Sequence, residues 1–142
     1  MNLKVENILL NQVITSKKQA FETLIKIFMK KNCCNLEYLE SMEKRDFESS
    51  VALGNYLALV HGTYEGSGLV FQNCMQIIHL KNTLEWDGQH IKFIIGLAVK
   101  SSEQINYIQK IGLAFIQKEK VESIMNDPYL TKEKILVWIN TS

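Results

Sequence analysis

Proline occurs once and cysteine three times in this chain, and neither sign of charge prevails. With a single proline and no repeat or low-complexity run, nothing suggests a linker or a second domain. The 142 residues are expected to form one domain over 1–142, long enough to bury a core without staples. Sixteen Lys plus Arg against fifteen Asp plus Glu leave a net charge of +1, so no basic stripe asks for nucleic acid or an anionic membrane. The longest apolar run, Phe93 to Val99, falls far short of the roughly 20 residues of a membrane helix, which excludes direct insertion. Met1 to Asn7 has neither the basic start nor the apolar centre of a signal peptide, and a cytoplasmic location is expected. Cys33, Cys34 and Cys74 are odd in number, with no C-x-x-C spacing, so three reduced thiols are expected rather than a disulfide framework or a zinc site. His79 and His90 have no partner at ligand spacing and read as surface or strand-edge residues.

What is present is organised around Leu53 to Glu65, an apolar run that stops abruptly at His61-Gly62-Thr63. Tyr56 to Val60 reads as a buried strand between two glycines, which puts His61 at a strand end, where a sheet meets solvent. Imidazole, with an ordinary pKa of about 6.5, offers a neutral nucleophilic nitrogen near neutral pH. Gly62 lacks a Cβ and would let a bulky partner approach that ring. Gly62 to Gly68 lacks the Gly-Lys-Ser/Thr ending of a phosphate-binding loop and reads as a flexible turn back to the sheet.

Before this stretch, Asn7 to Leu10 is a weak first strand. Ser16 and Gln19 form a capping box for a helix burying Ala20, Phe21, Leu24, Ile25 and Phe28. Asn35 opens a shorter helix to about Arg45, with Leu36, Leu39 and Met42 inward, and a polar connection leads on to Leu53. After it, Leu69 to Leu80 reads as one or two half-buried strands, and Lys81 to Gln89 as a connection with an Asp87-Gly88 turn, Leu84 and Trp86 tucking inward. Ile91 to Val99 reads as the central strand. Ser101 and Gln104 suggest a second capping box, on a helix with Ile105, Ile108, Ile111, Gly112, Phe115 and Ile116 inward and a strand backbone close to Gly112. Helices over Lys118 to Met125 and after Thr131 close the chain, with Asp127-Pro128 between them and Ile135, Leu136 and Ile139 inward. Strands in the middle with helices on either side predict an α/β sandwich: a single domain, one mixed central sheet flanked by helices on both sides.

The segment from Asn35 to about Ile108 resembles the EIIA domain of the mannitol/fructose class in the bacterial phosphoenolpyruvate-dependent sugar phosphotransferase system, and the mannitol branch most. Glu37-Tyr38 and Met42 to Arg45 resemble that family's helix ending in an arginine. Leu53 to Thr63 resembles its active-site strand, Ile94 to Ala98 its second central strand, and Ser102 to Ile105 the start of the following helix. With the flanks, the similarity runs over nearly the whole chain. The resemblance implies an α/β fold of this kind and a phosphotransferase role. His61 would accept a phosphoryl group from HPr and pass it to a cysteine of an EIIB domain, without metal or other cofactor. It implies that Arg45 steadies the phosphate with Thr63 and the backbone at Gly62, and that one nitrogen of His61 donates to a backbone carbonyl. A planar guanidinium suits that role because its fork holds two phosphate oxygens and its charge does not titrate.

Two positions depart from the family pattern. Val60 stands where proline is usual, and either loosens the loop or continues the strand. Gln104 stands where mannitol-type members carry a second histidine; its amide can hydrogen-bond a phosphate but brings no charge, and half of a helix cap is the other reading. These departures sustain an alternative, a regulatory or interaction module whose phosphorylation state signals to partners. Leu59, Val60 and Tyr64 are candidates for a docking rim, with core packing as the other explanation.

Overall fold

Alternation along two strands decides the layers. In β3 (Leu57–His61) and β5 (Gln89–Ala98), Leu57, Leu59, Phe93, Ile95 and Leu97 join one buried cluster, while Ala58, Val60, Ile94 and Ala98 join another. Successive strand side chains point to opposite faces, so strands apolar at every position must be covered on both sides. The computed structural model describes residues 3–142. Met1 and Asn2, where the readings of the opening segment and of a domain over 1–142 begin, lie outside the described residues.

The remaining elements are β1 (Ile8–Gln12), α1 (Lys17–Lys30), α2 (Glu37–Glu48), β2 (Ala52–Gly54), β4 (Cys74–Trp86), α3 (Ser101–Ala114), α4 (Lys118–Met125) and α5 (Lys132–Thr141). Five strands form one sheet in the order β1-β4-β5-β3-β2. It is mixed: β1 with β4 and β3 with β5 run parallel, the other pairs antiparallel. Phe21, Leu24, Phe28, Tyr38 and Met42 of α1 and α2 cover one face; Ile111, Val121, Ile135, Trp138 and Ile139 of α3 to α5 cover the other. The expected sandwich with helices on both sides is the architecture found.

Ser16 caps α1 as expected, its hydroxyl accepting the Gln19 N–H at 3.1 Å, though Gln19 reaches back to Thr15 rather than to Ser16. Other readings are corrected. Asn35 does not cap α2, which Leu36 precedes without a side-chain cap; Leu36 is exposed, and Tyr38, Ser41, Met42 and Asp46 are the buried residues. Lys81 to Trp86 is no loop but the far half of β4, which turns at Asp87-Gly88, both left-handed, straight into β5. Tyr56 is also left-handed, so β3 begins one residue later than expected. Gly62 to Gly68 is not a loose turn: it leads into a short 3-10 helix over Glu65–Leu69, with Gly66 and Ser67 buried. Gly112 is exposed with open space where a Cβ would go, and Ile105 and Ile116 are exposed too. His79 is not at an edge, because β4 has a strand on either side.

Cys33, just after α1, is joined to Cys74 at the start of β4, with Cα atoms 6.1 Å apart. The expected three thiols therefore become one, Cys34, whose burial pushes it up to about 11. The reason is a contact that spacing cannot show: the chain returns past the end of α1, where the Phe71 N–H donates to the Cys33 carbonyl at 2.8 Å.

Candidate functional site

His61 is the last residue of β3, at the carboxyl end of its parallel pairing with β5, opposite Leu97. It follows Leu57 and Leu59 on the side covered by α3 to α5. Val60 is fully buried and paired with Gly96, so it continues the strand. Beyond His61 the sheet stops, and a hollow of about 360 Å³ opens, walled by Arg45, Gly62 and Tyr64 and by Ser101, Gln104, Ile105 and Ile108 of α3.

The ring is held by one nitrogen. Nδ1 lies 2.8 Å from the Gly62 carbonyl oxygen and 2.9 Å from the position of the Gln104 amide nitrogen, which exchanges with the amide oxygen when the group is turned over. A carbonyl only accepts, so Nδ1 carries the hydrogen; the Gln104 amide is therefore assigned with its oxygen toward Nδ1, sharing that hydrogen. Nε2 makes no hydrogen bond among the described residues, and the half-buried ring borders the hollow. Burial pushes the imidazole below its ordinary pKa and the Arg45 guanidinium adds in the same direction, while the Gly62 carbonyl pulls the other way. At neutral pH the ring is thus neutral, with a bare, reachable lone pair.

Arg45, half-buried in the last turn of α2, donates through one Nη to the Ser49 carbonyl at 2.6 Å and lines the same hollow. It satisfies its own helix end and still borders the hollow, with four further N–H groups of the fork left over among the described residues. Gly62 is at the site, but its N–H is already given to the Tyr38 hydroxyl at 2.9 Å. Thr63 is not brought to the hollow. It is buried, its hydroxyl 3.1 Å from Ser41 Oγ and accepting the Gly66 N–H at 3.0 Å. Gln104 does not close a helix cap: Lys100 precedes α3 without a side-chain cap, and Gln104 turns to His61 instead. Of the three candidate rim residues, Tyr64 is exposed beside the hollow, whereas Leu59 and Val60 are core.

Sequence reasoning passed over Tyr38 and Ser41, which hold the loop from below, and read Ile105 and Ile108 as buried when they wall the site. Only the i, i+3 spacing of Tyr38 and Ser41 in a segment preceding the histidine strand hinted at the former.

Residues 1–140 match the family model described as "Phosphoenolpyruvate-dependent sugar phosphotransferase system, EIIA 2". The chain belongs to this EIIA family. EIIA membership makes it a phosphotransferase component of a sugar phosphotransferase system. Its similarity extends to the mannitol-specific phosphotransferase enzyme IIA component of Mycoplasma pneumoniae, 36% identical over 98% of this chain and 97% of that protein. The mannitol-specific IIA component of Halalkalibacterium halodurans is 31% identical over 87% and 86%. The EIIA fold itself is shared with the crystal structure of IIA mannitol from Escherichia coli, at a TM-score of 0.84, 21% identity and coverage of 98% and 99%. It is shared equally with the complex of enzyme IIAMTL and phosphorylated enzyme IIBMTL from Escherichia coli, at a TM-score of 0.86, 20% identity and 99% coverage of each chain. Among the described residues of this EIIA chain no helix is long and apolar enough to cross a membrane.

Proposed function

We propose that this EIIA protein is a mannitol-type phosphohistidine carrier working in the cytoplasm, with HPr as its phosphoryl donor and a cysteine of EIIB as its acceptor. The observation that carries the reading is a His61 ring that borders an open hollow with Nε2 unpartnered among the described residues while Nδ1 is tied down. In the first step the Nε2 lone pair forms a bond to phosphorus as the bond from phosphorus to the donor's histidine nitrogen breaks. In the second, the EIIB thiolate forms the new bond and Nε2 leaves with its electron pair. Such transfer is in-line positioning plus charge stabilisation over the equatorial oxygens. Arg45 supplies the charge from the wall of the hollow. Gln104 and the Gly62 carbonyl share the Nδ1 hydrogen, so the ring keeps its orientation through both steps. Thr63 contributes from beneath, by fixing the loop through Ser41 and Gly66. The named relatives, both mannitol-specific IIA components, support the choice of branch.

Incubation with enzyme I, HPr and phosphoenolpyruvate tests this. Intact mass should rise by one phosphate, acid should remove it, and His61→Ala should take none; an unchanged wild-type mass defeats the proposal. Adding EIIB should then move the phosphate to its cysteine and return the intact mass to that of the free protein, whereas a regulatory module would keep it.

A further inference from the structure

The parallel ladder between β3 and β5 has a rung missing next to His61, and a side chain stands in it. The Phe93 N–H donates to the Tyr56 carbonyl, which sets the bonded phase of β5 at Phe93, Ile95 and Leu97. The next rung in that phase would join the Gly62 N–H to the Leu97 carbonyl. Instead the hydroxyl of Tyr38 lies between them, accepting from Gly62 at 2.9 Å and donating to Leu97 at 2.9 Å. The chain thus leaves the sheet one residue after the histidine. Ser41, one turn on along α2, accepts the N–H of Thr63 at 2.9 Å. That N–H shares a peptide plane with the Gly62 carbonyl, which accepts from His61 Nδ1 on the opposite side.

We infer that Tyr38 and Ser41 are positioning residues for phosphoryl transfer: from one face of α2 they lock the two peptide planes after His61, and so the tautomer of its ring. Tyr38 fixes the plane between His61 and Gly62. Ser41 fixes the next, aiming its carbonyl at Nδ1 and polarising it, which leaves Nε2 as the bare nitrogen. Both side chains are buried, and their bonds to the loop are shielded from competing water. The glycines around them fit the same account. A Cβ at Gly62 would come 2.6 Å from Ser41 Oγ and 2.7 Å from Tyr38 Cε1, and one at Gly66 would overlap Ser41 Oγ. The missing Cβ at Gly62 is what lets α2 reach the backbone.

The inference rests on His61 being the phosphoryl acceptor, yet its first readout needs no phosphate. In long-range proton–nitrogen spectra of protein labelled with nitrogen-15 histidine, wild-type His61 should show a single tautomer, protonated at Nδ1. Ser41→Ala should give a mixture of tautomers and slow phosphate uptake from HPr by about tenfold or more, up to the roughly 100-fold that a misplaced reacting group can cost. Tyr38→Phe, which keeps the core-filling ring and loses only the hydroxyl, should move both readouts in the same direction, and it decides the matter if Ser41→Ala does not fold. A folded variant with the wild-type tautomer pattern, or with wild-type uptake, overturns the inference. A wild type that takes no phosphate defeats the carrier reading instead, and the tautomer comparison separates the two failures.

Discussion

His61 on β3 and His79 on β4 lie either side of β5 in one sheet, pointing to the same helical layer, and burial holds both imidazoles below the ordinary histidine value. They differ in access. His79 is 4% exposed, packs against Phe93 with ring centres 5.4 Å apart, and accepts the Asn11 N–H on Nδ1 at 3.1 Å. Its Nε2 is buried with no partner among the described residues. His61 has its partners on Nδ1 and its free nitrogen on a hollow. A depressed pKa therefore marks a buried imidazole, not a reactive one; the site is recognised by which nitrogen is free and where it points. On the proposed function one histidine acts on a partner, whereas the other contributes only to stability.

The sharpest way to break this comparison is to remove each ring in turn. His61→Ala should abolish phosphate uptake in the enzyme I and HPr assay. His79→Asn, which keeps an acceptor for Asn11, should leave uptake within about twofold, as a substitution outside the site should. The reverse pattern would refute the assignment. Arg45→Ala comes next. Removing a preorganised charge from a transferring group costs about 100- to 1000-fold in rate. The folded state should hardly notice, because among the described residues Arg45 makes a single hydrogen bond, to Ser49 at a helix end. Arg45→Lys should recover part of the rate but not all, since an ammonium holds phosphate as a point charge rather than a fork. Equal rates for both variants and wild type would remove Arg45 from the site.

The third test concerns His79. Its pKa is pushed down to about 4, by burial first and by the nearby Lys92 second. An unfolded histidine takes its proton near the ordinary value of about 6.5, so between there and about 4 the unfolded chain binds more protons. Stability contributed by the neutral ring is present above that window and is lost as pH falls through it, by at most about 3 kcal/mol. Denaturant unfolding from pH 7 to pH 4 should show this loss, with a smaller slope in His79→Asn whatever that variant's stability at pH 7. An identical slope would mean that the ring is already open to water.

Much of the layout was legible because it rests on local chemistry. The apolar run ending at His61 fixed a strand end, Ser16 caps a helix as expected, the last helix does follow Thr131, and Asp87-Gly88 does turn the chain. What escaped depends on packing between distant segments. Leu36, Leu39 and Met42 have helical spacing, yet the phase of α2 follows Tyr38, Ser41, Met42 and Asp46, because the loop after His61 and the Lys17 and Trp86 side chains supply polar partners below. Tyr and Ser look like surface residues until those partners are known. Lys81 to Thr83 interrupts the apolar alternation of β4, and pairing with β5 shifts register between His79 and Leu84, so one strand read as a strand and a loop. The pairing of Cys33 with Cys74 likewise follows from the chain's return past α1.

The smallest effect falls on Gln104, and it asks how much of the ring's fixation comes from the α3 side. Its amide shares the Nδ1 hydrogen with the Gly62 carbonyl, and that carbonyl stays when the amide goes. Gln104→Leu should therefore preserve the tautomer while loosening the ring, at about 1 kcal/mol for one shared hydrogen bond, or roughly fivefold in transfer rate. Gln104→His would place a second titratable ring against Nδ1, and rate against pH should gain a limb that wild type lacks. A Gln104→Leu protein that transfers phosphate as fast as wild type would show that α2 and the loop hold the imidazole alone. The wall formed by α3 would then serve as a surface for partners rather than as a grip on the reacting group.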